Sequence, residues 1–170
     1  LLAGALLLPV MVDAFPPAPH HTFYGMVRDE FGRPLEGEKV EVLFETSTGR
    51  VIRVGVAPGT TPGINYLLKV PMDSGATSNL YHPAAMRMAM PFKIRVLIGA
   101  QVYLPIEMIG DLAKIGQPGE ETLLNLTLGE DTDGDGLPDA WERALLGQGK
   151  TLSDINPGDD TDGDGMSNLD

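Results

Sequence analysis

The sequence predicts a mainly β protein: a seven-stranded antiparallel β-sandwich followed by an acidic C-terminal segment with one short helix. Three observations predict this fold class. Short runs rich in β-branched and aromatic residues recur between residues 22 and 129, and Gly, Pro, Asn and Asp separate them. Helical patterns are scarce between these runs, as expected of a sandwich. After Gly129 the composition changes to acidic residues and glycine, which indicates a separate unit.

The alternation of apolar and polar residues is clearest in residues 38–46. Val40, Val42 and Phe44 fall on one face of this run, and two glutamates fall on the other. Such a pattern indicates a strand that buries one side and exposes the other to water. The complete set of predicted strands is residues 21–29, 38–46, 50–57, 64–71, 92–99, 100–110 and 121–129.

Residues 73–91 interrupt the strand pattern and predict a long loop over the sandwich. Within it, the run "AAMRMAM" has room for one helical turn, because Pro83 and Pro91 bound it. Its methionines are expected to fill gaps against the sandwich, since the unbranched thioether side chain adapts to irregular spaces.

The N-terminal residues have the apolar character of a secretory signal, with Val12-Asp13-Ala14 as a small-residue cleavage site before Phe15. The apolar run is too short to cross a bilayer as a helix. The alternative is a retained apolar strand that packs on this domain or on a neighbouring copy. The predicted divisions of the chain are 1–14 for this segment, 15–21 for a proline-rich spacer, 22–129 for the sandwich and 130–170 for the acidic segment.

The charge of the chain is concentrated at its C-terminal end. The net charge is −12, and residues 131–170 hold eleven acidic residues against two basic ones. This distribution argues against nucleic acid as a partner, because phosphate binding needs the opposite sign. The chain has no cysteine, so disulfides and thiol chemistry are excluded.

The run "DTDGDGLPDAWE" at 131–142 fits the calcium-loop pattern D-x-[DN]-x-[DN]-G-x5-E at every constrained position. Aspartates at alternate positions can point at one centre, and Gly136 allows the sharp backbone reversal that a side chain would hinder. The helix predicted in residues 137–147 begins near Pro138, has Trp141, Ala144 and Leu145 on one face, and ends before Gly147. The predicted ligands are Asp131, Asp133, Asp135, the carbonyl of Leu137, Asp139 directly or through water, and Glu142 as the bidentate closing ligand.

The run "DTDGDGMSNLD" repeats this pattern 29 residues later, beginning at Asp160. Position 12 of this second loop falls beyond Asp170, so we expect the closing ligand from a continuation of the chain, from a nearby Asp154, Asn156 or Asp159, or from another chain. The other predicted ligands are Asp160, Asp162, Asp164, the carbonyl of Met166, and Asn168.

Calcium is the metal that this ligand set favours. Thiol and imidazole groups, which zinc prefers, are absent from both runs. Magnesium demands a stricter octahedral geometry than a flexible loop with many oxygens provides. The sequence therefore predicts about two Ca²⁺ ions, one per loop.

The two acidic runs resemble the thrombospondin type 3 repeats of bacterial secreted proteins, over residues 131–170. That resemblance implies calcium bound for a structural purpose, in stiff spacers or adhesive segments. Residues 25–40, "GMVRDEFGRPLEGEKV", are similar to the opening of the carboxypeptidase regulatory-like domain, which implies a seven-stranded Ig-like or transthyretin-like sandwich. The residues that carry this second resemblance are Gly25, Val27, Asp29, Gly32, Pro34, Leu35, Gly37 and Val40. Neither family implies catalysis.

Three other features of the sequence suggest other sites. Asp73-Ser74-Gly75 resembles the catalytic tripeptide of retroviral-type aspartic proteases, although Pro71 interrupts the strand before it; the alternative is a turn capped by Asp and Ser. A carbohydrate- or protein-binding accessory module would need an exposed aromatic platform, for which Phe23, Tyr24, Tyr66, Tyr81 and Tyr103 are available. His20, His21 and His82 lack a third ligand at metal spacing and are expected on the surface or in loops.

These inferences together predict a secreted, calcium-binding structural or adhesive protein at the cell surface or in the extracellular matrix, without enzymatic activity. In a more specific hypothesis the chain is a filament subunit, whose residues 1–14 add as a strand to the next copy while calcium stiffens the contact. The expected partners are copies of itself or other surface and matrix proteins.

Overall fold

A computed structural model describes residues 17–37, 39–59, 61–109, 113–161, 163 and 165–168. The predicted signal or donated strand at 1–14 therefore lies outside the described residues, as do Asp162 and Asp164. The described strands are β1 (Ala18–Gly25), β2 (Val27–Arg28), β3 (Val40–Glu45), β4 (Val51–Gly55), β5 (Tyr66–Met72), β6 (Pro91–Ile98), β7 (Gln101–Tyr103), β8 (Ala113–Lys114), β9 (Glu121–Leu123) and β10 (Leu126–Thr127). The helix α1 spans Asp139–Leu145, and 3₁₀ turns span Ile106–Met108 and Leu152–Asp154.

The prediction of a mainly β protein with one short helix near its C-terminal end is confirmed. The strand count is corrected, because the described residues contain ten strands in place of the seven expected. They form a three-stranded sheet in the order β5-β1-β9, a pair β10-β2, and a sheet in the order β4-β3-β6-β7 with β8 also on β6. Two pairs are parallel, β1 with β9 and β2 with β10, so the arrangement is not purely antiparallel.

Two of the predicted strands are each divided in two at the same level of the fold. The first divides at Met26, between β1 and β2, and the last divides between β9 and β10. A side chain at Gly25 would collide with the Leu124 carbonyl oxygen, so the two backbone segments approach closely at this point. Asn125 fills the gap in the backbone pairing, because its Oδ1 accepts a hydrogen bond from the Met26 N–H at 3.1 Å. The parallel pair of β1 and β9 therefore ends at this break, and the parallel pair of β2 and β10 begins beyond it.

The predicted strand at 100–110 ends early, at Tyr103. Pro105 cannot donate to a sheet, and it directly precedes the 3₁₀ turn Ile106–Met108. The turn contacts β10, because the Glu107 carboxylate accepts hydrogen bonds from the Thr127 N–H and hydroxyl, at 2.8 and 2.6 Å. It thus satisfies the backbone N–H and the hydroxyl of Thr127 in β10, which is buried.

The hydrophobic core draws side chains from both larger sheets. The rings of Phe23 on β1, Phe44 on β3 and Phe92 on β6 lie 4.9–5.8 Å apart between centroids. The predicted alternation is confirmed in β3 and β6, where Val42, Phe44, Ile94 and Val96 are fully buried. Burial of such side chains contributes roughly 1.5–3 kcal/mol each, so this shared core stabilises the β region.

The long loop of residues 73–90 contains no helical turn in its described residues, contrary to the expectation for "AAMRMAM". Instead, Met86 forms an isolated bridge with Met72 and is fully buried. Met88 is 60 % exposed, so the expected gap-filling role holds for Met86 and fails for Met88. The loop is held by Asp73, whose carboxylate accepts hydrogen bonds from the Tyr81 N–H and from the Arg87 side chain at 2.8 and 3.0 Å.

The acidic segment packs against the β region at one junction. The Asp139 N–H donates to the Glu130 carbonyl at 2.8 Å, and the Leu137 side chain is buried. Gly129 lies between Glu30 and Pro138, with only 3.2–3.3 Å from where its Cβ would be to their Cβ atoms. The segment is therefore in contact with the turn that follows β2.

The inward face of α1 differs from the expected one. The apolar residues Trp141, Ala144 and Leu145 were expected to share the packed face, but Ala144 is exposed and the other two are half-buried. The buried residues of α1 are the acidic pair Asp139 and Glu142. A helix that buries its carboxylates needs a compensating environment, and the loop before it is where that environment is found.

Candidate metal centre

The first acidic loop brings three carboxylates together. Asp131, Asp133 and Asp135 each offer an oxygen, and these oxygens all lie within 4.8 Å of one another. Like charges at this separation repel by about 1 kcal/mol per pair in bulk water and more near a protein surface. Since carboxylate oxygens are the ligands that hard divalent cations prefer, the cluster could hold a metal ion.

Backbone hydrogen bonds organise the loop around its first aspartate. Asp131 accepts from the Gly134 N–H with Oδ1 at 2.8 Å and from the Gly136 N–H with Oδ2 at 3.1 Å. Both glycines have positive φ, 77° and 95°, where a side chain would be strained. The Leu137 N–H donates to Asp135 Oδ1 at 2.8 Å. The loop thus curls around its carboxylates and directs them to one side.

Glu142 is the residue whose environment most needs a partner. It lies on the first turn of α1 and its side chain is fully buried. Neither of its carboxylate oxygens has a hydrogen-bond partner among the described residues. A buried, unpaired carboxylate is costly, because the lost hydration is not replaced. A bound cation would replace it, so the residues present fit a metal at this position.

The electrostatics of Glu142 agree with its geometry. Burial, followed by the negative charges of the four aspartates in the loop, raises the pKa of Glu142 from 4.5 to about 7. Burial and the neighbouring aspartates also raise the pKa of Asp135, although the hydrogen bond from Leu137 opposes them. The protein alone therefore disfavours the charged forms of Glu142 and Asp135.

Asp139, the predicted ninth-position ligand, is engaged elsewhere. Its Oδ1 accepts from the Thr132 N–H at 2.7 Å and its Oδ2 accepts from the Thr132 hydroxyl at 2.6 Å. Arg143 donates to Oδ2 as well, at 2.7 Å. Burial acts to raise the pKa of Asp139, but these hydrogen bonds and the arginine outweigh it and lower the pKa. The three-carboxylate cluster includes neither this residue nor Glu142, so the hydrogen bonds of the two carboxylates are what distinguish them.

The second acidic run has the same backbone frame as the first. Asp160 accepts from the Gly163 N–H at 2.7 Å and from the Gly165 N–H at 3.0 Å. These glycines have φ of 78° and 91°, within a few degrees of their counterparts 29 residues earlier. The Asn168 N–H donates to the Asp159 carbonyl at 2.7 Å, as that of Asp139 does to Glu130 at 2.8 Å. The repeat visible in the sequence is therefore a structural repeat.

Two contacts of the first loop were not anticipated from its pattern. Thr132 at position 2 holds Asp139, and the Ser153 hydroxyl donates to Asp133 Oδ2 at 3.3 Å from the following 3₁₀ turn. The recurrence of threonine at position 2 of both runs was an available signal for the first contact. No sequence signal exists for the second, because it depends on how the chain folds back after α1.

Asp73 does not resemble a residue prepared for acid catalysis. Its carboxylate accepts hydrogen bonds from the Tyr81 N–H, the Gly75 N–H and Arg87. The Tyr81 hydrogen bond is the largest cause that lowers the pKa of Asp73, and it prevails over the opposing effect of burial. An aspartic protease needs a carboxylate that shares a proton with a second one, whereas Asp73 is ionised and fully engaged in holding a loop.

The histidines and aromatic residues form no second candidate site in the part of the chain described. The surface location expected of all three histidines is wrong for His21, which is buried with its ring nitrogens 3.0 Å from the Gln117 carbonyl and the Thr122 hydroxyl. Of the five aromatic residues available for a platform, Phe23 and Tyr66 are buried. Tyr81 lies on the long loop and Tyr103 on β7, so the most exposed members belong to different elements.

Comparison with known proteins identifies the acidic segment alone. The chain matches none of the curated proteins and none of the solved structures with which it was compared. No described helix has both the length and the apolar character needed to cross a bilayer. Residues 131–147 match the family model of the bacterial TSP3 repeat, a structural calcium-binding repeat that is typical of extracellular proteins and is not an enzyme family.

Proposed function

We propose that residues 131–142 bind one calcium ion and that this ion stabilises the acidic segment of an extracellular structural protein. The proposed carboxylate ligands are Asp131, Asp133, Asp135 and Glu142, with the Leu137 carbonyl as a further oxygen. The observation that carries the proposal is Glu142, a fully buried carboxylate with no protein partner among the described residues, close enough to the three aspartates for their charges to act on it. The match of this segment to the bacterial TSP3 repeat supports it independently.

Calcium suits this set of groups better than other common metals. The donors are all oxygens, and calcium takes about six to eight of them in flexible geometry. Zinc prefers cysteine and histidine, neither of which occurs in residues 131–142. An affinity in the range of about 10⁻⁴ to 10⁻³ M or somewhat tighter is sufficient outside the cell.

A second calcium ion at residues 160–168 is part of the proposal. The Asp160 frame repeats that of Asp131, with the same glycine hydrogen bonds. The proposed oxygens are the side chains of Asp160, Asp162 and Asp164 and the Met166 carbonyl. The closing ligand of this loop would come from a continuation of the chain, from Asp154, Asn156 or Asp159 nearby, or from another chain.

We further infer a secreted protein in which the two larger sheets face each other as a β-sandwich over residues 22–129, followed by a calcium-binding segment at 130–170. The shared core supports the sandwich, because Phe23 comes from one sheet and Phe44 and Phe92 come from the other. Filament assembly through residues 1–14, with copies of the same chain or other matrix proteins as partners, remains the more specific hypothesis. A mature N-terminus at Phe15, found by sequencing the secreted protein, would eliminate strand donation by this segment.

Titration calorimetry tests the calcium site. We expect heat on adding calcium to the chelator-treated protein, and a higher melting temperature with calcium than without it. The Glu142→Gln substitution preserves shape but removes the closing charge, so it should weaken the first site by about tenfold or more. A glutamine lacks one of the two anionic oxygens, which is why the bidentate contact is lost.

The matched control is Glu121→Gln, which removes the same charge from an exposed residue of β9, outside the acidic segment. It should leave calcium binding within about twofold, since the charge of an exposed residue is screened by salt. Absence of calorimetric heat, together with an unchanged melting temperature, would contradict the proposal.

A further inference from the structure

We propose that Asp139, although it occupies the ninth position of the loop, is a positioning residue that locks the loop through Thr132 and is not itself a calcium ligand. This inference rests on the proposed calcium site and specifies which of its acidic residues contact the ion. The position is one where the loop pattern permits a ligand, either directly or through water. The contacts of Asp139 favour a different role.

Both oxygens of Asp139 are taken up by protein donors. The Thr132 N–H donates to Oδ1 at 2.7 Å, and the Thr132 hydroxyl and Arg143 donate to Oδ2 at 2.6 and 2.7 Å. These are short, charge-assisted hydrogen bonds, which are the stronger kind. The side chain is only 1 % exposed. Turning it toward the aspartate cluster would break these bonds in a buried setting.

Glu142 has the opposite pattern on the same helix. It is as deeply buried as Asp139, but its two oxygens accept no hydrogen bond from any described residue. Within α1, one carboxylate is therefore satisfied by protein and the other lacks a protein donor. This difference assigns contact with the ion to Glu142 and the positioning of the loop to Asp139.

The second loop reproduces this lock without a charge. Asn168 stands 29 residues after Asp139, and its Oδ1 accepts from the Thr161 N–H at 3.0 Å. Its Nδ2 donates to the Thr161 hydroxyl oxygen at 2.9 Å, the reverse of the first loop, where the Thr132 hydroxyl donates to Asp139. The residue after the first aspartate is threonine in both runs. An amide thus joins the same two groups of the threonine, its N–H and its hydroxyl, so the two positions share the link to threonine and not the charge.

The lock fixes how the two ends of the loop stand relative to each other. Thr132 directly follows Asp131, the aspartate whose carboxylate accepts from Gly134 and Gly136. Asp139 begins the helix that carries Glu142. Joining Thr132 to Asp139 therefore sets the distance between the first ligand of the loop and its closing ligand.

The experiment compares calcium affinities of full-length variants by titration calorimetry. Every protein carries Asp160→Ala, so that the second loop does not contribute. Asp139→Asn imitates Asn168 and should keep the affinity within about threefold of the parent, whereas Asp139→Ala removes the lock and should weaken it by about tenfold. The cluster control Asp133→Asn makes the same carboxylate-to-amide change at a ligand position and should weaken binding by about tenfold or more.

A second pair of variants separates the lock from a ligand that acts through water. Thr132→Val removes the hydroxyl while leaving the carboxylate of Asp139 in place, and Thr132→Ser keeps the hydroxyl. The lock predicts weaker binding by about threefold or more for valine and an unchanged affinity for serine. A water-mediated ligand at Asp139 predicts no effect of either change.

The results separate this inference from the proposed function. If the parent binds calcium and Asp139→Asn loses as much affinity as Asp133→Asn, Asp139 is a ligand and the inference is overturned. Equal affinity of Thr132→Val and the parent overturns it too. A parent protein that binds no calcium overturns the proposed function and this inference together. The melting temperature of each variant in chelator confirms that the protein compared is folded.

Discussion

At the residue scale, the molecule contains two kinds of buried carboxylate. Asp73 is surrounded by donors, whereas Glu142 has none among the described residues. The spacing of the loop predicts the role of Glu142, because all the groups that define it lie within twelve residues. The partners of Asp73 include Arg87, fourteen residues away across an irregular loop. No local pattern encodes such a pair, so Asp73 was open to interpretation as a catalytic residue.

Replacing Asp73 tests its structural role. Asp73→Asn removes the charge that Arg87 and the Tyr81 N–H meet, and should destabilise the protein by about 2 kcal/mol. The control is Glu45→Gln, which breaks the exposed ion pair with Arg95 at 3.4 Å and should cost less than about 1 kcal/mol. Chemical denaturation of the three proteins measures both values. Equal stabilities of the Asp73→Asn variant and the parent would contradict this role.

The pH dependence of the same variant has a definite sign. The pKa of Asp73 is lowered below its ordinary value of 3.8, with the Tyr81 hydrogen bond as the main cause. The folded state therefore releases this proton more readily than the unfolded state, and the stability that Asp73 provides is complete above that value and is lost as the pH falls through the lower, folded pKa. The difference in melting temperature between parent and Asp73→Asn should be constant from neutral pH to about pH 5 and narrow in stronger acid. A gap that widens in acid would show that the sign is wrong.

At the element scale, periodicity predicts strands well where a strand has one buried face. β3 and β6 follow the alternation of their sequences, and their apolar residues form the core. The pattern does not predict the breaks between β1 and β2 and between β9 and β10. These breaks come from the close contact between Gly25 and Leu124, which are far apart in the sequence. Alternation describes which face a residue takes, and it contains no information about where a strand changes its partner.

The close approach at Gly25 leads to a prediction. Gly25→Ala places a methyl group against the Leu124 carbonyl and should destabilise the protein by about 1–3 kcal/mol. Gly55→Ala is the matched control, since the added methyl at the end of β4 has no described heavy atom within 4 Å. The control should change stability by less than about 0.5 kcal/mol. Thermal or denaturant unfolding distinguishes them, and two equal values would refute the close packing.

At the scale of the whole molecule, the chain divides its charge and its apolar core between two regions. The β region is held by the buried side chains of its sheets, while the acidic segment has short elements and, in its described part, two buried apolar residues, Leu137 and Ile155. Composition alone indicated this division, because the change at Gly129 is abrupt. The contact between the two regions, through Gly129 and Leu137, was not evident from composition, since it depends on the position of the turn after β2.

Calcium should therefore protect the acidic segment more than the β region. With a lysine-specific endoproteinase, we expect rapid cleavage at the exposed Lys150 in chelator and slow cleavage with calcium. Cleavage at the exposed Lys39, in the turn before β3, should proceed at the same rate in both and serves as the internal control for protease activity. Magnesium at the same ionic strength should protect less. Equal protection of both sites by calcium would indicate a general effect on the protein and contradict a local one.

The position of Trp141 makes the junction measurable in the unlabelled protein. The chain has one tryptophan, and its side chain lines the cavity between α1 and the turn after β2 together with Arg28, Phe31 and Leu137. Indole emission responds to changes in polarity around the ring. The emission wavelength of this single tryptophan should therefore report on the contact between the acidic segment and the turn after β2, independently of whether the sheets are folded.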